Sequence, residues 1–229
     1  MDASSQPPPF VIGEGYASYR GPAIDVSAHR HAAFQIAIAE RGEVAIEDAA
    51  GTVHRGEVLV VSPMSRHRML TGTDVLRTFF VDPHLAYADL LRRRCRAGIS
   101  EAAELRDLSV EDVGIGRAAL DERLVAAMEL ATADSAWSIA GVASAVGVSP
   151  QRLRALARSQ LGISLSRWRA WARLRRSAEA LGAGSSLADA ALEGGFADQP
   201  HMTRWMREMM GITPLAALGA LRPQPRAAV

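Results

Sequence analysis

The sequence predicts an α+β chain with three parts. These are a small β-barrel at the N-terminus, a helical linker and an all-α C-terminal domain with two helix-turn-helix motifs. Three observations carry this expectation. Between residues 10 and 83, short apolar or alternating runs are punctuated by Gly, Pro and Asp, the pattern of a small sandwich or barrel. From Leu85 the apolar positions take helical spacing. Beyond residue 135 one helical pattern is written twice, and self-similarity at a fixed offset marks a duplicated unit. The expected domains are 10–84, 85–135 and 136–220.

The elements follow in order. Residues 1–9 end in Pro7-Pro8-Pro9 and read as a lead-in. Phe34–Ala39, Glu43–Glu47, Val58–Val61 and Val75–Val81 are the strand candidates, with Gly42, Asp48–Gly51, Gly56, Pro63 and Gly72 between them. Leu85–Arg96 is a short helix candidate stopped by Gly98. A second helix runs from Arg117, with Leu120, Leu124, Ala127, Met128 and Ala131 on one face. That face either packs within the chain or forms a dimer seam. Thr132–Ser135 closes the segment.

The duplicated pattern comes next. The first copy places Ser138-Ile139, Ala143, Gly147-Val148, Ser149, Leu153, Leu156 and Gly162-Ile163-Ser164. The second places Ser186-Leu187, Ala191, Gly195-Phe196, Asp198, Met202, Trp205 and Gly211-Ile212-Thr213. The offset is 48 residues before the turn and 49 after it, so the second turn is one residue longer. Each copy reads as a short helix, a Gly-centred turn and a polar N-cap opening a second helix, the unit that sets its second helix in the DNA major groove. In the first copy Leu153 and Leu156 face inward, leaving Gln151, Arg152, Arg154 and Arg158 for DNA. Arg matches guanine O6 and N7, and Gln matches adenine N6 and N7. In the second copy Met202, Trp205 and Met206 face inward. Pro200, His201, Thr203 and Arg204 lie where base edges would be, and Arg207 is a phosphate candidate. Leu165–Leu181, free of Pro and with its only charged residues off a stripe of Trp168, Trp171, Leu174, Ala178 and Leu181, connects the copies as one amphipathic helix.

Composition agrees. Residues 1–135 carry 14 Arg against 20 acidic residues, and residues 136–229 carry 12 Arg against 5. An acidic half joined to a basic half fits a polyanion-binding domain attached to a part with another task. A hydrophobic fraction of 48% supports real cores. The single cysteine, Cys95, excludes an intrachain disulfide and a cysteine-based zinc site. No apolar run approaches the ~18 residues of a membrane span, and Met1-Asp2-Ala3-Ser4 opens without the basic and apolar stretches of a secretory signal. The expectation is a cytoplasmic chain.

On these residues the C-terminal part, roughly 136–218, resembles the DNA-binding domain of the AraC/XylS family of bacterial transcription regulators. The likeness rests on Gly195-Phe196-Ala197-Asp198-Gln199, then Arg204, then Gly211-Ile212-Thr213-Pro214. It also rests on Arg173-Leu174 followed by Ser177 and Ala180-Leu181. The chain departs from the family pattern at Ala155-Leu156-Ala157, at Pro200, and at Met202 and Met206, where the family has Arg-Leu-Phe, a small polar residue and aromatics.

In the N-terminal part, His29-Arg30-His31, Gln35 and Gly42 are spaced like the first cupin motif, with Gln35 in the Glu position. Gly56, Pro63 and His67 resemble the second, with Pro63 one residue closer to His67 and Thr71 where Asn often stands. The resemblance, over about residues 20–82, is to the cupin-like sensor domains found before this type of DNA-binding domain. His29 and His31, two apart on a strand, would share a face, and His67 on another strand would complete a three-nitrogen site. Imidazole suits nickel, zinc, copper or iron. The other readings are structural histidines or the lining of an organic-effector pocket. His54 and His84 lack a partner pattern and read as surface residues.

Together these features point to a DNA-binding transcription regulator that needs no catalysis. It answers a metal ion (nickel, zinc or copper) or a small molecule bound in the cupin-like domain. Its expected partners are promoter DNA, the effector, a second copy of itself and, for an activator, RNA polymerase. One alternative is a metal-dependent cupin enzyme with an appended helical domain. Another is a ligand-independent DNA-binding protein whose barrel serves only to dimerise.

Overall fold

The computed structural model describes residues 10–23, 26–70, 75–95, 97–133 and 137–221. Pro7–Pro9, Thr71, Gly72 and the last residues of the linker lie outside the described residues. The described residues of the N-terminal half hold nine strands: β1 (Phe10–Gly13), β2 (Tyr16–Gly21), β3 (Phe34–Ala39), β4 (Val44–Asp48), β5 (Val53–Gly56), β6 (Val58–Val61), β7 (His67–Leu70), β8 (Leu76–Val81) and β9 (Ile99–Glu101). They form two antiparallel sheets in the orders β1-β2-β8-β3-β6-β9 and β5-β4-β7.

β3 shows why the strands run as unbroken apolar stretches. All six of its residues are buried, because the two sides of a strand serve different cores. Phe34, Ile36 and Ile38 face helix α1 (Ala86–Arg94), whose Ala88 and Leu91 are buried against them. Ala37 and Ala39 face the smaller sheet and meet Val44, Ile46 and Met69.

The expected barrel does not close. Among the described residues no ladder joins the two sheets; the isolated bridge from His29 to His67 ties β7 to a strap that belongs to neither sheet. The larger sheet is twice as wide as the smaller. Its inner face therefore continues past the sandwich, through Gln35, Phe80, Ala17 and Ile12, which lie in register across four strands. Helices cover this surplus instead of strands.

The segment between the halves divides by packing. α1, a 3-10 turn at Ala103–Leu105 and α2 (Val110–Val113) pack on the larger sheet, and β9 pairs with β6 at its edge. α3 (Glu122–Ala133) buries Leu124, Ala127, Met128 and Ala131 in the helical core. It starts five residues later than its spacing suggests. The Ala118 N–H is bound by the His84 carbonyl, and the Asp121 side chain takes the Arg123 N–H, which caps the helix there.

The helical half comprises α4 (Ile139–Ala145), α5 (Pro150–Leu156, prolonged by a wide turn to Leu161), α6 (Leu165–Ala183), α7 (Leu187–Glu193), α8 (Gln199–Met210) and α9 (Pro214–Leu221). α6 is its axis, with Trp168, Trp171, Leu174 and Leu181 all buried. The duplicated sequence gives duplicated turns. Gly147 and Gly195 take φ of 69° and 84°, values that an L side chain resists. The next residue's N–H then closes on the carbonyl five back, Val148 on Ala143 and Phe196 on Ala191, as in a Schellman stop.

Candidate functional site

The two second helices are built alike. Ser149 accepts the Arg152 N–H and Asp198 accepts the His201 N–H, each capping its helix with a Pro in the first turn. On α5, Leu153 and Leu156 are buried while Gln151, Arg152, Arg154 and Arg158 are all exposed. On α8, Met202, Met206 and Met209 are buried, and Pro200, Arg204 and Arg207 are exposed. Thr203 and His201 are half-buried. The His201 ring is already engaged: Nε2 accepts the Trp205 indole N–H at 3.0 Å, which leaves the ring proton on Nδ1. Gln199, exposed at the first position of α8, is a polar group the sequence reading did not single out. Its signal was the Asp198 cap one residue earlier.

The arginines of α6 are braces. Arg167 binds Glu208 and lies over the Trp205 ring, 5.2 Å from its centroid. Arg169 reaches the Trp137 carbonyl at 2.7 Å, Arg175 the Gly13 carbonyl at 2.9 Å and Arg176 the Thr132 carbonyl at 2.8 Å.

The three histidines of the N-terminal half come together. Their nearest ring nitrogens all lie within 4.8 Å of one another, and all three rings are buried. His29 and His31 sit on an extended strap rather than a full strand, and His67 opens β7. Each Nδ1 faces a main-chain carbonyl: His29 that of Ser27 at 2.9 Å, His31 that of Ala33 at 2.8 Å, His67 that of Ser65 at 3.0 Å. A carbonyl only accepts, so each Nδ1 donates. Burial pulls His29 down to about 4, helped by the charge of His31, and it pulls His67 down to about 2, helped by His31 and His29. His31 is lowered as well, again by burial first. Each neutral ring therefore keeps its Nε2 as an acceptor. Gln35 Oε1 lies 2.9 Å from Nε2 of both His31 and His67.

This cluster stands where the halves meet. The Ser27 N–H and hydroxyl both bind the Gly211 carbonyl, at 3.1 and 2.9 Å. The Arg30 N–H binds the Glu208 carbonyl at 3.2 Å. The Trp171 indole N–H donates to Asp82, and the Trp171 ring lies 6.0 Å from His31. Asp82 is buried, which raises its carboxyl to about 6 against the pull of Arg175 and the Trp171 bond. His84 is not the surface residue its sequence suggested. It packs edge-on against Trp168 with a side chain 12% exposed, and burial, then Arg175 and Arg117, lowers it to about 4. His54 pairs with Asp48 at 3.0 Å.

Beside the histidines a cavity of about 140 Å³ lies between the halves. Phe10, Ile12, Ala17 and Phe80 line it from the sheet, Trp171, Met206, Met210 and Ile212 from the helices, and Asp82 and Arg175 from its polar margin.

A family model described as a helix-turn-helix domain matches residues 142–219. The fold is similar to that of ToxT from Vibrio cholerae, 10% identical, with a TM-score of 0.60 over 92% of this chain and 100% of that one. A transcriptional regulator from Chromobacterium violaceum, described as containing an AraC-type DNA-binding domain, is 31% identical over 45% of this chain and 95% of its own, with a TM-score of 0.41. The C-terminal part of the chain is an AraC-type helix-turn-helix domain. At 10% identity the likeness to ToxT shows the fold alone. It places this AraC-type chain in a mixed α+β architecture with an N-terminal sheet domain and a C-terminal helix-turn-helix domain. No curated protein sequence matches the chain. Among the described residues no helix is long and apolar enough to cross a membrane.

Proposed function

We propose that this AraC-type DNA-binding regulator docks α5 and α8 on one face of promoter DNA and that a small molecule held between its halves sets their arrangement. The duplicated, identically capped pair of helices with exposed Gln151, Arg152, Arg154, Arg158, Pro200, Arg204 and Arg207 supports the first part. Thr203 completes the base-reading set on α8 with His201, whose Nε2 also holds the Trp205 indole N–H. α6, at 19 residues, spans roughly 28 Å. That length suits two reading helices about one duplex turn, ~34 Å, apart.

The cavity carries the second part, because residues of both halves line it. A ligand that touches both changes their relative stability, and only such a differential contact can shift an equilibrium. ToxT has been solved bound to an unsaturated fatty acid and to a naphthalenyl butenoic acid. An apolar wall ending at Arg175 suits the same chemistry here, an apolar body with a carboxylate. The cavity of about 140 Å³ compares with the ~150 Å³ that admits a benzene ring. It takes a small aromatic acid as it stands, and a longer chain only by parting the halves. The cytoplasm is the compartment this role requires. A second copy, and RNA polymerase if the chain activates, are its proposed protein partners.

The test is fluorescence anisotropy with duplexes selected from genomic DNA, across a salt series. The reading expects sequence-preferring affinity that falls steeply with salt and changes when an aromatic carboxylate is added. Absence of any salt-sensitive duplex binding would sink it.

A further inference from the structure

We propose that a second cavity, walled by α3, α6 and the segment from Arg117 to Leu120, binds a small hydroxylated oxyanion, a carboxylate or a phosphate ester. It lies apart from the apolar cavity between the halves and shares only Arg175 with it. The proposal holds whether or not that first cavity takes a ligand. The second cavity has a volume of about 370 Å³, within the ~300–1,000 Å³ of small-molecule pockets. Trp168, Ala172 and Arg176 line it from successive turns of α6. Trp168 is 6% exposed, and among the described residues no acceptor reaches its buried indole N–H. The Arg176 Nε–H is in the same state, although its terminal nitrogens hold the Thr132 and Gly194 carbonyls at 2.8 and 3.4 Å. A buried donor without an acceptor forfeits its hydration and regains nothing, so such groups call for an oxygen from elsewhere.

The lining says which molecule. Arg117, Arg175 and Arg176 face Glu14 and Glu129 across it. His84, also on the wall, is neutral because burial lowers it to about 4. One positive charge is left over, which suits a monoanion. Trp168 and Arg176 stand two turns apart on α6, roughly 12 Å along its axis. A bare ion therefore does not serve both donors, whereas a molecule with oxygens along its length does. Ala172, one turn from each, leaves the space between them open. Leu120, Val125 and Met128 give the opposite wall an apolar surface for a carbon skeleton. Glu129 and Glu14, which pairs with Arg117 at 2.6 Å, are exposed and accept from hydroxyls. The position also gives the ligand a lever. Arg176 ties the end of α3 to the turn ahead of α8, so an anion seated on it bears on both.

The experiment uses the full chain with nitrogen-15 in its four tryptophans. The Trp168 indole N–H signal is identified by its loss in Trp168→Phe. Ribose 5-phosphate, gluconate and inorganic phosphate are titrated separately. The Trp168 signal should move downfield and saturate with ribose 5-phosphate or gluconate, and whichever acts assigns the anion. Inorganic phosphate should bind at least about tenfold more weakly, because it leaves one of the two donors without a charged acceptor. The Trp171 signal should stay, since that N–H donates to Asp82 in the other cavity. By calorimetry Trp168→Phe should bind about tenfold more weakly and the exposed Arg117→Gln about threefold, with circular dichroism showing both folded. No movement of the Trp168 signal at millimolar ribose 5-phosphate and gluconate overturns the proposal and leaves water as the occupant. Movement of Trp171 alone overturns it too, by sending the anion to the first cavity. So does wild-type affinity in both folded variants. Duplex binding and its response to an aromatic carboxylate are separate measurements, so failure here leaves the regulator reading standing.

Discussion

Arg204 stands exposed between buried Met202 and Met206. Arg204→Ala should weaken specific binding by about 1–3 kcal/mol if its guanidinium reads a guanine. Competition with base-substituted duplexes checks this, and equal weakening on every sequence would make it a phosphate contact instead. The buried titrating groups make a second prediction. His29, His67 and His84 are held at about 4, about 2 and about 4 by burial, whereas the unfolded chain protonates its histidines near ~6.5. Below that pH the unfolded state binds more protons, so stability falls as pH drops toward the folded values. Asp82 acts oppositely. Its folded value of about 6 exceeds the unfolded ~3.9, so its contribution grows as pH falls through that window. The histidines outnumber it, and the urea midpoint should be lower at pH 5 than at pH 7. Asp82→Asn should steepen the acid loss; an unchanged profile in that variant would show that the carboxyl is not held protonated by burial. The histidine cluster was legible because His-x-His and a distant His are types that chemistry singles out. The burial of His84 was not, since Trp168 that covers it lies 84 residues away in the chain.

At the scale of elements, caps and turns were readable because their partners are local. Ser149 and Asp198 each bind an N–H three residues on, and Gly147 and Gly195 act within their own turns. Ser149→Ala or Asp198→Ala should each cost roughly 0.5–2 kcal/mol, seen as a lowered denaturation midpoint, with Asp198→Ala also weakening DNA binding as the start of α8 frays. Native-like stability in both variants would deny that the caps hold these helices. Helix starts set from afar were not readable. Spacing alone runs α3 back to Arg117, but the His84 carbonyl holds Ala118 in an extended strand-like pairing. The arginines of α6 give the same lesson. Their positions off the apolar stripe suggest solvent, yet carbonyls of Gly13, Thr132 and Trp137 claim them.

Across the whole molecule the junction between halves is polar at few points and each is specific. Trp171 to Asp82, Arg175 to Gly13 and Ser27 to Gly211 tie sheet to helices. Trp171→Phe keeps the ring but removes the donor, leaving the buried Asp82 oxygen short of a partner. The expected loss is about 1–3 kcal/mol of stability in urea. DNA affinity should persist while its response to an added carboxylate shrinks, because the two halves no longer move as one. A full response in that variant would place the coupling elsewhere. α3 spends its apolar face on α6 and α4 within the chain, so a second copy would need another surface.

By itself the sequence determined the class of each half, the duplicated reading unit with its caps, and the histidines as a chemical group. These rest on periodicity, turn geometry and side-chain type, all written within a few residues. Only the tertiary structure decided that the sheets stay open, that helices cover the surplus width of the larger one, and that the histidine strap lies on the turn after α8. Those outcomes depend on which apolar surface is left over once each local element has formed, and that is a property of the packed whole.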